Sequence, residues 1–528
     1  MTAVVVLLVA AASASCVVQS SARAADAVVP KSSCAARVPD QIGCDAQILV
    51  SKRTGKPIHP RPRRVGGKRT GARVSTSGGR GVPAPQPMTP AYLQQAYDLN
   101  YLSATKGIGD TIGVAAIYDD PNAASDLSTF RSTYGLPACT ASNGCFEQLN
   151  EQGQSSPLPP TDWSWALEES MDLDAVSSLC PNCRIILVEA STPAAADLQS
   201  AVSAAIQAGA NQVSISGAGS YTSNPFTDFS ASGVAILAAS GDDGTIPAGY
   251  ASYPAALPYV TAVGGTSLSV AGAGTPTPRG VIESAWNQSG DGCDTQEQPL
   301  PYQPAEGCNG RIYSDVAADA NPNTGLSFYD SQAGGWLDGG GTSLATPLTA
   351  AFEAVTGVDG STPQWAYTDS ANLNDPASGS TGNCAGSISL LCNAAIGYDG
   401  PTGTGSISGQ IVTGAPGIGD PALGPASHKT YLQRVTATGA ALLGGVYPNG
   451  QATTYYWQYG RTTAYGMRTA AISAGAGTAP VTAVGHPKAL TPSNAYHFRL
   501  VATNVTGTTY GYDYTLTTSR ATVAGARN

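Results

Sequence analysis

The chain is poor in histidine and, over most of its length, poor in positive charge. Its 528 residues include four histidines, His59, His428, His486 and His497. None lies between residues 81 and 408, so no serine–histidine–aspartate triad can be assembled inside that stretch. The same stretch holds 31 acids against five bases: Lys106, Arg131, Arg184, Arg279 and Arg311. One lysine leaves little room for a serine–lysine dyad, and so acidic a body offers no electrostatic footprint for nucleic acid. Protonating its carboxylates creates little net positive charge, so self-repulsion stays small at low pH and the composition reads as adaptation to acid. Beyond the N-terminal leader no run of 18 or more apolar residues occurs, and no membrane span is expected.

Residues 1–24 read as a secretory signal: an apolar run, VVVLLVAAA, leads to the small-residue cleavage pattern Ala22-Arg23-Ala24, although the n-region lacks Lys and Arg. Of eleven cysteines, Cys16 leaves with the signal. The other ten fall in close pairs, 34/44, 139/145, 180/183, 293/308 and 384/392, which suggests five short-range disulfides and a secreted, extracellular protein. Cys180-Pro-Asn-Cys183 also fits a redox C-x-x-C pattern, but in a secreted chain a structural bridge is the expected reading. Residues 25–84 form a short, pro-like N-terminal segment. Within it, 51–80 carry ten Lys/Arg and no acid amid Gly, Pro and Ser, the composition of a flexible basic stretch. Such a stretch is placed to clamp electrostatically on the acidic body.

From about residue 111 short apolar runs alternate with helical patterns. TIGVAAIYD, RIILVEA, NQVSIS, VAILAAS and YVTAVGG read as buried strands, and AAADLQSAVSAAIQAGA at 194–210 as a crossover helix. This predicts an α/β domain over 85–408: a mostly parallel sheet with helices on both faces. A Gly/Pro/Ala-rich linker follows at 409–428. Alternating runs such as TYYWQYG and YHFRLVATN then predict a small β-sandwich over 429–520, which resembles bacterial fibronectin type III-like modules.

GGGTSLATP at 339–347 is the sharpest local signal. Glycines bring the chain to a tight turn, Ser343 follows, and an apolar helix starts at once, so helix N–H groups stand near the hydroxyl. A serine nucleophile needs a base. With histidine and lysine excluded, a carboxylate is the remaining choice. LEESMDLD at 167–174 supplies four acids on one predicted helix: Glu168, Glu169, Asp172 and Asp174. Glu168 and Asp172 share a face at i,i+4 with Ala175, Val176 and Leu179 roughly on the same side, so the pair is expected to point inward. Glu169 and Asp174 fall on other faces and are expected to be solvated. Two carboxyls in one partly dry site share a proton, which raises one pKa and lets the pair act as a base in acid.

The body resembles the sedolisin (serine-carboxyl peptidase) family. The matches run in order through WALEESMD, CPNCRIILVEA, AASGDDG, YPAALPYVTAVGGTSL, ESAWN, DVAADANPNTG, GGTSLATP and GYDGPTGTG, nearly the whole of 85–408. The resemblance implies a subtilisin-like fold and a secreted endopeptidase acting on proteins in acid. It makes Ser343 the nucleophile, Glu168 the general base, Asp172 the carboxylate that orients Glu168, and Asp242 the acid lining the oxyanion hole. Asp243 keeps the plainer reading of a turn residue. The resemblance further implies one structural Ca²⁺, held by the side chains of Asp375 and Asp399 and the carbonyls of Pro376, Ala395 and Gly397. The implied partners are protein or peptide substrates of a monomer, with the C-terminal module available for cell-surface or polymer contact.

Two departures stand out. The family's S-N-S-[WY]-G strand reads SISGAG at 214–219, with Ile215 for Asn and Gly217 for the aromatic. That change widens the non-primed subsites or weakens substrate binding. The pro-like segment is also far shorter than the family's, so either activation is unusual or the basic 51–80 stretch serves as the electrostatic clamp. A catalytically inactive binding protein that docks through its β-module is the competing reading.

Overall fold

In the computed structural model the residues described are 27–34, 38, 40–60, 86–226, 233–247, 250–270, 279, 281–304, 307–382, 389–411, 417–419, 432–448, 451–462, 464–477, 481–505, 508–510 and 514–520. The signal, residues 61–85 with the last twenty residues of the basic stretch, and most of the linker lie outside them.

The chain enters through three short strands, β1 (Val28–Ser32), β2 (Gly43–Cys44) and β3 (Gln47–Ser51). Helices α1 (Pro90–Ala96) and α2 (Asn100–Thr105) lead into the main sheet. Its strands are β4 (Thr111–Ile117), β5 (Phe146–Asn150), β6 (Arg184–Ala190), β7 (Gln212–Ile215), β9 (Ala235–Ala239), β11 (Thr261–Val270), β12 (Val281–Ala285) and β15 (Val316–Asp319). The order is β12-β11-β9-β7-β4-β6-β5, with β15 also on β11, and every pairing is parallel except β11 with β12. Between these, β8 (Gly217–Tyr221) continues from β7 and pairs with β10 (Ala251–Tyr253), while β13 (Gly292–Asp294) and β14 (Arg311–Tyr313) form a separate ladder. Finally β16 (Leu326–Asp330) and β17 (Gly335–Gly340) make the hairpin that delivers the chain to the serine helix.

Alternation along the strands builds two cores. Ile112, Val114 and Ala116 of β4 join Ile185 and Leu187 of β6 in one, with α3 (Ala123–Tyr134), α4 (Trp163–Leu179) and α6 (Thr342–Thr356). Ala115 and Ile117 join Ile186 and Val188 in the other, under α5 (Ala195–Gln207). Helices therefore cover both faces, and so the strands read as continuous apolar runs. The predicted strands and crossover helix are all present.

The expectation for α4 needs correction. Glu169 is 0% exposed and Asp174 1%, as deeply buried as Glu168 and Asp172. Every residue from Trp165 to Leu179 is buried, because α1, α3, α6, β4 and β16 pack around the whole circumference of the helix. A helix buried on all sides has no solvated face for a polar residue to occupy. Asp174 accepts the Tyr329 N–H at 3.0 Å, while both carboxyl oxygens of Glu169 lack a hydrogen-bond partner among the described residues.

Four disulfides join the expected cysteines: 34–44, 139–145, 180–183 and 293–308. Cys392 is also disulfide-bonded, and Cys384 lies outside the described residues. From Gly417 to Thr517 two antiparallel sheets enclose their own core of Leu442, Trp457, Phe498 and Leu500. Gly417–Gly419, within the sequence's linker, pair with Gly445–Tyr447 of that module.

Candidate functional site

Asp162 caps α4 by accepting the N–H groups of Ser164 and Trp165 at 2.9 and 3.3 Å, which starts the helix where the acids project towards α6. The serine is placed by backbone geometry. Gly341 has φ 121°, a conformation that suits glycine, and it turns β17 into α6 with Ser343 in the first turn.

The two helices and the loop after β7 meet at four side chains, Ser343, Ser216, Glu168 and Asp172. Ser343 is fully buried, and its Oγ donates to the carbonyl of Ser216 at 3.0 Å. Ser216 Oγ stands 2.8 Å from Asp172 Oδ1 and 3.1 Å from the Ser343 carbonyl. Glu168 is 0% exposed, and its Oε1 has no hydrogen-bond partner among the described residues. Burial first, then repulsion from Asp172, hold the Glu168 carboxyl well above the ordinary range, and the Ser343 hydroxyl pulls it partly back. Burial likewise raises Asp172, opposed by the bond from Ser216. The sequence-predicted serine and carboxylate pair are thus brought together in one dry site.

Asp242 follows β9 and adjoins the start of α6. Its Oδ1 accepts from Thr342 N at 2.8 Å and Thr342 Oγ1 at 3.0 Å, and its Oδ2 accepts from Gln47 Nε2 at 3.1 Å. Asp375 and Asp399 also converge. Asp375 Oδ2 accepts the Gly397 N–H and Asp399 Oδ2 the Ala395 N–H, each at 2.9 Å. Burial pushes the Asp399 carboxyl up to about 6, with repulsion from Asp375 adding to it against the bonds from Ala395 and Thr402.

Sequence reasoning missed one participant, the segment Ile42–Gln47. β2 pairs with β8, setting Cys44 opposite Gly217 and Gly43 opposite Ala218. β3 pairs with β17, setting Gln47 opposite Gly340. Between them the Asp45 N–H donates to Glu168 Oε2 at 3.1 Å. The Cys34–Cys44 sulfurs lie within 4.8 Å of a Glu168 carboxyl oxygen. These pairings are long-range in sequence; the Cys34/Cys44 bracket and the apolar QILV run were the local signals available.

The α/β body thus sets a helix-N-terminal serine against buried carboxylates, with no histidine in the domain. Its resemblance is to proteins of the sedolisin family. No family model matches it. Kumamolisin of Bacillus sp. (strain MN-32) is 29% identical over 313 residues, covering 51% of this chain and 52% of the relative. Sedolisin of Pseudomonas sp. (strain 101) is 25% identical over 376 residues, covering 60% and 59%. The chain thus spans little more than half the length of these curated relatives. Among solved structures, Pseudomonas sedolisin, a serine-carboxyl proteinase complexed with two molecules of pseudo-iodotyrostatin, covers 61% of this chain and 95% of its own at 22% identity and TM-score 0.49.

Proposed function

We propose that the chain is a secreted serine-type endopeptidase that hydrolyses peptide bonds of proteins at acidic pH. The observation that carries this reading is the buried Glu168–Asp172 pair beside the Ser343 hydroxyl. Two carboxyls in one dry site share a proton and titrate as a unit, and the raised affinity for protons makes the ionised member a stronger base towards Ser343 than an isolated carboxylate. Glu168 takes the proton of Ser343 Oγ as that oxygen attacks the scissile carbonyl, and Asp172 steadies the carboxyl that receives it. Glu168 then returns the proton to the leaving amine. Water, deprotonated by the same carboxylate, resolves the acyl-enzyme.

Charge that develops on the carbonyl oxygen is met at the start of α6 and by protonated Asp242 as hydrogen-bond donor. Asp242 Oδ2, which accepts from Gln47, becomes available when a substrate displaces that side chain. Activity should therefore fall towards neutral pH, where Asp242 loses its proton.

Asp375 and Asp399, with the carbonyls of Pro376, Ala395 and Gly397, are assigned one structural Ca²⁺. The set is made of hard oxygens, and two carboxylates drawn together with one buried are better accommodated beside a cation. The ion would tie together two loops near the end of the body.

Digestion of a protein mixture at pH 3–5, with Ser343→Ala as control, tests the assignment. Cleavage by the parent chain and none by the variant is expected, and equal residual activity in both refutes it.

A further inference from the structure

The C-terminal module reverses the charge of the body. Residues 429–520 hold seven Lys/Arg against a single acid, Asp513, whereas 81–408 hold 31 acids against five bases. The fold gathers part of that charge on one sheet face. In the strand Thr453–Gly460, Tyr455, Trp457 and Tyr459 join the module's core, and in Ala495–Thr503 so do Tyr496, Phe498, Leu500 and Ala502. Alternation therefore turns Thr454, Tyr456 and Gln458 of the first strand, and Arg499 of the second, to the opposite face. The register sets Gln458 opposite Arg499 on one side and opposite Arg468 on the other. An arginine, an amide and an arginine thus form one row across three strands. The two arginines are two strand intervals apart, about 10 Å.

Aromatic rings hold both guanidinium groups in place. Arg468 stands over the Tyr456 ring at 5.3 Å and Arg499 over the Tyr465 ring at 4.6 Å, and Arg499 Nε donates to Gln458 Oε1 at 2.8 Å. Arg468 is exposed, and among the described residues no carboxylate pairs with it. Stacking fixes the plane of a guanidinium while its edge N–H groups stay directed to an anion. A side chain already ordered also loses less freedom on binding. The face is polar, with the exposed Thr454 and half-buried Tyr456 and Gln458, which suits the hydroxyls of a sugar chain. Its rings carry guanidinium on their faces, so they are not open platforms for nucleic-acid bases. Carboxylates protonate near pH 4, so an anion that stays charged in acid is the ester of a stronger acid.

We propose that the face carrying Arg468, Gln458 and Arg499 binds an acidic polysaccharide whose charge lies on sulfate or phosphate esters. The polymer crosses the three strands with two of its anionic groups on the two arginines, each held by charge-assisted hydrogen bonds. The choice of strong-acid esters rests on the acid-acting reading above, while the surface itself does not. Binding of this kind raises the local concentration of the body around proteins embedded in the polymer.

The test uses the oxidised full chain carrying Ser343→Ala, so that cleavage does not intrude, and measures its binding to immobilised dextran sulfate at pH 3. Binding should weaken as salt is added. It should be at least about tenfold weaker to uncharged dextran, and to polygalacturonate, whose carboxyls are mostly protonated at that pH. Arg468→Ala and Arg499→Ala should each weaken binding to dextran sulfate about tenfold, the scale of a hydrogen-bonded contact to a charged group. Arg461→Ala removes the same charge from the same module but beyond the row, where Arg461 stands over Tyr496 at 5.3 Å. It should change binding less than about twofold, since an exposed charge away from the contact contributes little. If an alanine variant does not fold, the lysine replacement takes its place; it keeps the charge, loses the planar fork, and should still bind more weakly than the parent. Equal losses in all three variants reduce the interaction to net charge and overturn the site, as does no binding by the parent or tighter binding to single-stranded DNA. Polygalacturonate held as tightly as dextran sulfate at pH 3 overturns the strong-acid choice. Protein digestion by the chain with Ser343 intact is read separately: binding without cleavage removes the peptidase reading and supports the surface.

Discussion

Glu353 gives the cleanest test of how this body depends on acid. It lies on α6, ten residues beyond the serine, fully buried, with neither carboxyl oxygen hydrogen-bonded among the described residues. Burial pushes its carboxyl up from 4.5 to about 8. The folded chain keeps a proton that the unfolded chain releases. The resulting stability is intact below about pH 4.5, declines as pH rises, and is fully lost above about pH 8. At about 1.4 kcal/mol per pH unit, Glu353 alone withdraws about 3 kcal/mol between pH 3 and pH 7. Glu353→Gln removes the titration while keeping the shape. The variant should match the parent in acid and exceed it by about 3 kcal/mol at pH 7, roughly 4–5 °C in the melting midpoint of a body of about 320 residues. Thermal unfolding followed by tryptophan fluorescence at pH 3, 5 and 7, with disulfides intact, measures this. If Glu353→Gln loses as much midpoint between pH 3 and 7 as the parent, the reasoning is wrong.

Other outcomes follow from the same geometry. Glu168→Gln should reduce the cleavage rate at pH 4 by about 10³-fold or more, and Asp172→Asn should shift the pH profile as well as the rate; progress curves across pH 3–7 check both. Gly107 has φ 83°, and a Cβ there would overlap the Cys180 sulfur of the 180–183 bridge, so Gly107→Ala should cost about 2–4 kcal/mol in denaturant unfolding. Arg311 and Asp315 form a fully buried pair at 2.6 Å, and Asp315→Ala should destabilise the body by about 3–5 kcal/mol by stranding the guanidinium. Chelation of Ca²⁺ should lower the parent's melting temperature and leave an Asp375→Asn, Asp399→Asn double variant unmoved.

Much of the body is legible in the sequence because its strands are short, apolar and regularly spaced between helical patterns. Inventory leads from Ser343 to the acids of LEESMDLD, since a serine in a histidine-free domain has few other bases, while the choice of Glu168 and Asp172 among them rests on the family resemblance. Glu169 and Asp174 were misjudged for a definite reason. Helical spacing says which residues share a face, but not how many faces the rest of the molecule will cover. The placement of Ile42–Gln47 was illegible because antiparallel pairing with β8 and β17 is fixed by partners more than a hundred residues away. Gly217 read as widening the non-primed subsites or weakening substrate binding; in the structure the space its missing side chain leaves is taken by Ile42.

Ser216 has a consequence for how the site responds to its own titration. A hydroxyl owns one hydrogen, and Ser216 Oγ stands within reach of two acceptors, Asp172 Oδ1 and the Ser343 carbonyl. While Asp172 is ionised, that hydrogen belongs to the carboxylate. Once Asp172 takes up a proton it can donate instead, and the hydroxyl is released to swing towards the backbone of the serine helix. The charge of a buried acid is thereby converted into the direction of a single rotor, through which a change in acidity reaches the peptide group of Ser343.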